Sequence, residues 1–154
     1  MNKLVIDILN FIDDNLKEAI GLCKIYGAKS YLTLNTIIKQ TELEEAFNTA
    51  KTAYLYGVDA VILQDLGLIK ILKENLPDLV LHASTQMTVH TSSALPFLKK
   101  MGIKRVVLSR ECSKEAIKEI CNKAKELNME TEVFVHGALC MSVSGQCLLS
   151  SFLG

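Results

Sequence analysis

One phrase recurs along this chain: a helix-like stretch, a turn residue, and a short run of aliphatic residues. Tyr26-Gly27-Ala28-Lys29-Ser30 leads into Tyr31 to Asn35, Tyr56-Gly57-Val58-Asp59 into Ala60 to Leu63, and Met101-Gly102-Ile103-Lys104 into Arg105 to Leu108. Glycine is the residue that closes a helix in the left-handed conformation. Asn128 stands in that place before Thr131 to Val135, and Pro77 ends the remaining helix before Leu79 to Ala83. The unit helix–turn–strand is therefore expected five times. Strands rich in Val, Ile and Leu, with helices between them, pair in parallel and are buried on both faces. The expectation is an α/β fold of about five parallel strands with outer helices, the material of a TIM barrel or a doubly wound sheet. No G-x-G-x-x-G follows any strand, which counts against a dinucleotide fold.

Helix boundaries support the repeat. Leu16, Ala19, Ile20, Cys23 and Ile25 form an apolar stripe over a helix from about Asp14 to Tyr26, with Asp13 or Asp14 as its cap. Thr41 and Glu44 have the spacing of a capping box, and Ser113 opens a helix running to about Leu127.

At 154 residues, with 49% apolar and 22% charged residues, the chain is expected to form one globular domain with a sizeable core. Its formal net charge is zero, so no basic excess announces nucleic acid, although a local patch can hide in a neutral total. The opening Met1 to Asn10 is interrupted by Asp7 and lacks the form of a signal peptide. No run reaches the length of a membrane span. A cytoplasmic location is expected, where five cysteines read as thiols or ligands and not as a disulfide framework.

In parallel βα folds, functional residues gather at the C-terminal strand ends. Here those ends carry Asn35; Gln64 and Asp65; His82, Ser84, Thr85 and Gln86; Arg110 and Glu111; and His136 and Cys140. The opposite ends carry ordinary solvent residues such as Lys29, Asp59 and Lys104. Polar residues also cap strands for purely structural reasons, which accounts for about half of the set, and His82 serves equally well as a structural histidine. The densest chemistry lies from Glu132 to Ser150: a strand through Val133, Phe134 and Val135 runs into His136 and Cys140, and Cys147 follows.

Three uses of these residues are open. Cys140 and His136 offer a thiol and a base, with Glu111 or Glu132 to orient the imidazole and Arg110 beside them. Metal-dependent hydrolysis has weaker support, because His82, His90 and His136 are scattered and no H-E-x-x-H is present. Ser142 and Ser144 do not form a G-x-S-x-G elbow. Cys140 and Cys147 are two soft ligands on a glycine-containing loop, which suits an iron–sulfur cluster. Cys112 and Cys121 read as incidental, with Cys112 at most a substitute ligand, and Cys23 as a buried helix residue.

The stretch resembles the signature of peptidase family U32, the collagenase-like proteases. Glu132, Phe134, Gly137, Ala138, Leu139, Cys140, Gly145, Cys147, Leu149 and Ser150 fill every fixed position of that signature. The resemblance continues upstream through Leu32 to Asn35, Val61 to Gly67, His82 to Met87 and Val106 to Glu111. It implies a TIM barrel, of which residues 1–154 make a single incomplete domain, matching the third to seventh strands and lacking the later cysteines.

The resemblance also implies a peptidase of unassigned mechanism, with His136, Cys140, Glu111 and Arg110 as catalytic candidates. Asn35, Gln64, Asp65, His82, Ser84 and Gln86 are the corresponding substrate-binding candidates. Relatives that hydroxylate tRNA, ribosomal RNA or a quinone precursor imply the alternative: a 4Fe–4S cluster with Cys140 and Cys147 as its first ligand pair. An inactive remnant is the third reading. The implied partners are a protein or peptide substrate, or RNA. Cutting a barrel is expected to open sheet edges near Tyr31 to Asn35 and Val133 to Val135, through which the chain would self-associate.

Overall fold

The computed structural model describes residues 3–7, 13–137 and 141–146. Strands and helices alternate: β1 (Lys3–Asp7), α1 (Asp13–Ile25), β2 (Lys29–Leu34), α2 (Leu43–Tyr56), β3 (Ala60–Leu63), α3 (Leu66–Asn75), β4 (Leu81–Ala83), α4 (Leu95–Lys100), β5 (Ile103–Val107), α5 (Lys114–Glu126) and β6 (Glu130–Glu132). Short 3-10 turns cover Thr85–Met87, Ser92–Ala94 and Val143–Gly145. The chain divides into two compact units, Met1–Leu81 and His82–Gly154.

In the first unit β1 pairs in parallel with β2, Lys3 opposite Lys29 and Asp7 opposite Thr33. β2 pairs in parallel with β3, Tyr31 opposite Ala60 and Leu34 opposite Leu63. Leu16, Ile20 and Cys23 turn one stripe of α1 inward, and Ala50 and Ala53 do the same for α2. They pack with Leu32, Val61, Leu63, Leu68, Ile69 and Leu72, all buried. Each fully buried leucine or isoleucine contributes about 1.5–3 kcal/mol relative to exposure.

The turns behave as the repeat requires. Gly27, Gly57, Gly102 and Asn128 all take positive φ. At Gly57 (φ 84°) the N–H closes α2 on the carbonyls of Ala53 and Tyr54. Below it, the Asp59 carboxylate accepts the Ser30 N–H at 2.9 Å and pairs with Lys29. Burial would push the Asp59 carboxyl up, but the bonds from Lys29 and Ser30 outweigh it and hold the group below its usual value. The start of β2 is thus stapled by charge to the residue before β3.

The second unit is built the same way. β5 and β6 pair in parallel, Arg105 opposite Glu130 and Val107 opposite Glu132. Leu95, Leu98, Ile103, Val106, Leu108, Ile120, Ala124 and Met129 form its core. Ser113 caps α5, its Oγ accepting the Ala116 N–H at 3.2 Å. Arg105 reaches across the ladder to Glu130 and to Glu132, the latter at 3.2 Å.

The expected α/β architecture of parallel strands and helices is therefore present, with four differences. There are six strands among the described residues and not five, because Lys3–Asp7 adds itself alongside β2. That pairing covers Tyr31 on both sides, so Tyr31 to Asn35 is not an edge. The last strand ends at Glu132: its ladder stops where β5 does, at Val107, and Val133, Phe134 and Val135 lie beyond it, exposed at 40%, 58% and 93%. Finally, α2 starts at Leu43, after Glu42. Thr41 falls outside the cap position, and the Glu42 carboxylate instead accepts the Lys39 N–H at 3.0 Å. No helix among the described residues is long and apolar enough to cross a membrane.

Candidate functional site

In the first unit the C-terminal strand ends are tied to one another. Gln64 Nε2 donates to the carbonyl of Asn35 at 2.5 Å, linking the residues that follow β3 and β2. Asp65 sits in extended conformation before α3 and accepts the Leu68 N–H on Oδ1 at 2.8 Å. Its carboxylate is a helix cap, worth about 1 kcal/mol in such positions.

In the second unit His82 lies buried within β4. Ser84, also buried, accepts the Gln86 N–H at 3.3 Å and starts the Thr85–Met87 turn. Thr85 Oγ1 donates to the Leu108 carbonyl at 3.0 Å. Beyond β5 the chain delivers Arg110 and Glu111 side by side, and both face the segment 141–146. Arg110 Nη2 donates to the Ser142 carbonyl at 2.9 Å. Arg110 Nε is buried and has no hydrogen-bond partner among the described residues. Glu111 accepts the Ser144 N–H at 2.6 Å on one oxygen and the Ser144 hydroxyl at 2.7 Å on the other. Gln146 Nε2 donates to the Gln86 carbonyl at 2.6 Å.

His90 completes the group. Its Nδ1 lies 2.7 Å from the Thr88 carbonyl, a contact that needs the proton on Nδ1, and 3.3 Å from Ser109 Oγ. Its Nε2 lies 3.6 Å from Glu111. Donation from the Ser144 N–H, then from its hydroxyl, pulls the Glu111 carboxyl down to about 2, so Glu111 is a fixed anion near neutrality.

Burial first, and the Glu111 charge second, push the Cys112 thiol up, and its Sγ lies 3.7 Å from the Val89 carbonyl. Cys121 Sγ contacts Thr131 Oγ1 at 3.3 Å, and Cys23 is buried in α1. No group of three or more metal-ligating side chains occurs among the described residues. His136 is exposed, next to Gly137. Cys140 and Cys147 lie outside the described residues.

Of the residues expected from sequence, Arg110, Glu111 and Gln86 come together on one segment, while Asp65 and Ser84 serve as caps. His90, Ser142, Ser144 and Gln146 belong to the group without having been singled out for it. The available signal was position: the last three lie between two cysteines, one residue or more from each.

A sequence model of peptidase family U32 matches residues 7–154. Over 143 residues the chain is 38% identical to the tRNA hydroxylation protein P of Escherichia coli (strain K12), covering 93% of this chain and 31% of that protein. It is 39% identical over 136 residues to the 23S rRNA 5-hydroxycytidine C2501 synthase of the same organism, covering 88% of this chain and 20% of that protein. An uncharacterized protease of Methanocaldococcus jannaschii is 40% identical over 146 residues, covering 94% and 35%. The chain thus spans between 20% and 35% of the length of these relatives.

Among solved structures, a U32 peptidase superposes with a TM-score of 0.67 at 13% identity, over 86% of this chain and 60% of that one. Muconate lactonizing enzyme from Pseudomonas putida gives 0.60 at 12% identity, over 84% and 37%. At these identities the likeness concerns the fold alone, which is TIM-barrel-like.

Proposed function

The chain belongs to peptidase family U32, and on that premise we propose that it is part of an RNA-hydroxylating enzyme acting on tRNA or ribosomal RNA. The observation that carries this is the similarity, at 38% and 39% identity over about nine-tenths of the chain, to two proteins named for RNA hydroxylation. The polar C-terminal strand ends of the second unit supply a suitable face: Arg110, Glu111 and His90 converge there, with exposed His136 close by in sequence.

In this reading Cys140 and Cys147 are ligands of a 4Fe–4S cluster. Such a cluster takes four thiolates, of which Cys140 and Cys147 would supply two. When bound, the cluster supplies electron-transfer chemistry. The chain's own residues hold the ligand-bearing segment and line the face on which an RNA base would lie. His82 and Gln86 are the substrate-side candidates of the second unit and Asn35 and Gln64, separately, those of the first, whereas Asp65 and Ser84 act through the backbone they cap.

A second reading is peptide-bond hydrolysis with Cys140 as nucleophile and His136 as base, supported by the protease name of the archaeal relative. One experiment separates the two. The gene is deleted, tRNA and rRNA are digested to nucleosides, and the products are compared by mass spectrometry. The expected result is a nucleoside lacking one oxygen, restored by the wild-type gene and not by Cys140→Ala. Unchanged nucleosides, together with gelatin cleavage by the purified protein that Cys140→Ala abolishes, would replace the hydroxylase reading with the peptidase one.

A further inference from the structure

Residues 82–154 carry nine Lys and Arg against six Asp and Glu, whereas residues 1–81 carry eight against eleven. The neutral total thus conceals a basic second unit. Many of its cations gather at the end of the unit where β5 and β6 begin, opposite to Arg110 and Glu111. The last turns of α4 and α5 lie there, with Lys99, Lys100, Lys123 and Lys125, and so does Lys104, the second residue of β5. The Gly102 N–H donates to the Lys99 carbonyl at 3.0 Å, which brings the end of α4 to the start of β5. Lys104 and Lys125 meet at a hollow of about 430 Å³, lined also by Asn128, Met129 and Glu130.

The carboxylates at this end are already engaged. Arg105 binds Glu130 and reaches Glu132 at 3.2 Å, and Lys123 pairs with Glu126 at 2.8 Å. Lys99, Lys100, Lys104 and Lys125 are exposed and make no ion pair among the described residues. The first unit spends its lysines at the corresponding end on structure. Lys24 Nζ donates to the Tyr56 carbonyl at 2.8 Å, Lys73 Nζ to the Pro77 carbonyl at 2.6 Å, and Lys29 pairs with Asp59. A lysine in a last helical turn also answers the helix dipole. That accounts for Lys99, Lys100 and Lys125 singly, but not for Lys104 on a strand, nor for its meeting with Lys125 at one hollow.

We propose that this end of the second unit is an RNA-docking surface, on which Lys99, Lys100, Lys104 and Lys125 contact backbone phosphates away from the nucleoside that reacts. Unpaired ammonium groups set close together gain from a partner with successive charges, and release of its counterions drives the binding. Lysine is a flexible point charge, and phosphate contacts fix register without reading bases. The surface therefore supplies affinity and orientation, and the choice of nucleoside belongs to other residues. It deepens the reading above and rests on it for the choice of RNA over another polyanion.

The test measures binding of the purified protein to fluorescein-labelled, unfractionated tRNA by anisotropy, between about 50 and 200 mM salt. Lys104→Gln and Lys125→Gln are each expected to lower the slope of log affinity against log salt by about one. At roughly 0.1 M salt each loses about five- to eightfold in affinity, and the pair together loses more than either. Lys104→Arg should keep both slope and affinity, and Lys51→Gln, at an exposed position in the first unit, should change neither. All these side chains are exposed, so melting temperatures stay near wild type; if the joint variant does not fold, the single ones decide. Wild-type slope and affinity in the Gln variants, or no tRNA binding by the wild type, would overturn the proposal. Binding of poly-glutamate through the same lysines in place of tRNA would assign the surface to an acidic protein and overturn it as well. Unchanged nucleosides on gene deletion, with lysine-dependent tRNA binding, would fell the hydroxylase reading alone. An altered nucleoside profile, with wild-type binding in the variants, would fell the surface alone.

Discussion

Glu111, a candidate to orient an imidazole, has both its carboxylate oxygens bonded to Ser144. The consequence is a pH dependence with a definite sign. Its folded carboxyl is held at about 2 against an ordinary 4.5, so the unfolded chain takes up the proton first. The stabilisation is therefore complete above about 4.5 and is lost as pH falls toward 2. Amide exchange at Ser144, corrected for its intrinsic rate, should show constant protection down to that range and a steep loss below it. Loss beginning near neutrality would contradict the assignment.

Two glycines make a complementary pair. Gly57→Ala places a Cβ at φ 84° and against the Lys24 side chain, whose Nζ bonds the Tyr56 carbonyl at 2.8 Å. A cost of about 1–2 kcal/mol is expected in urea denaturation. Gly21→Ala, within α1 and with nothing near the new Cβ, should instead stabilise by about 0.5–1 kcal/mol.

At the scale of elements, the two expected helix starts have different outcomes, and each gives a measurable difference. Ser113 makes its cap on Ala116, so Ser113→Ala should cost about 1 kcal/mol. Thr41 does not cap α2, because the helix begins at Leu43, so Thr41→Ala should stay within about 0.5 kcal/mol. Equal losses in the two variants would show that a capping box forms at Thr41 after all. In α3 the buried Leu72 has no such alternatives, and Leu72→Ala should cost about 2–5 kcal/mol through the cavity it leaves.

At the scale of the whole molecule, the second unit carries exposed Val133, Phe134, Val135, Met141 and Val143 within a few residues of one another in sequence. Contiguous exposed apolar side chains mark surfaces that seek a partner. Taken alone, these 154 residues are expected to self-associate at tens of micromolar, and the double change Phe134→Lys, Val135→Lys to shift the population toward monomer in sedimentation velocity. A wild-type monomer with a sharp, high-temperature melt would refute this.

Local chemistry was enough to read the repeat. Gly27, Gly57, Gly102 and Asn128 each take the left-handed turn their positions announce, since few other residues tolerate it. Aliphatic runs such as Ala60–Leu63 pair in parallel for want of a polar face, whereas Glu130–Glu132 pairs in parallel with polar side chains. The strand at Lys3–Asp7 was not legible, because a short apolar run is a strand only once β2 offers it a partner. The end of β6 at Glu132 was likewise decided by the length of β5, against the β propensity of Val133 to Val135. Arg110 and Glu111 were recognisable as polar residues just beyond a strand, and His136, Cys140 and Cys147 as reactive types in the sequence. That Glu111 meets Ser144, 33 residues away, and Gln146 meets Gln86, 60 residues away, was not, since no periodicity encodes a contact between loops. Backbone turns depend on the residue that makes them, whereas the contact of Glu111 with Ser144 depends on two loops arriving at one place, which only the packed fold arranges.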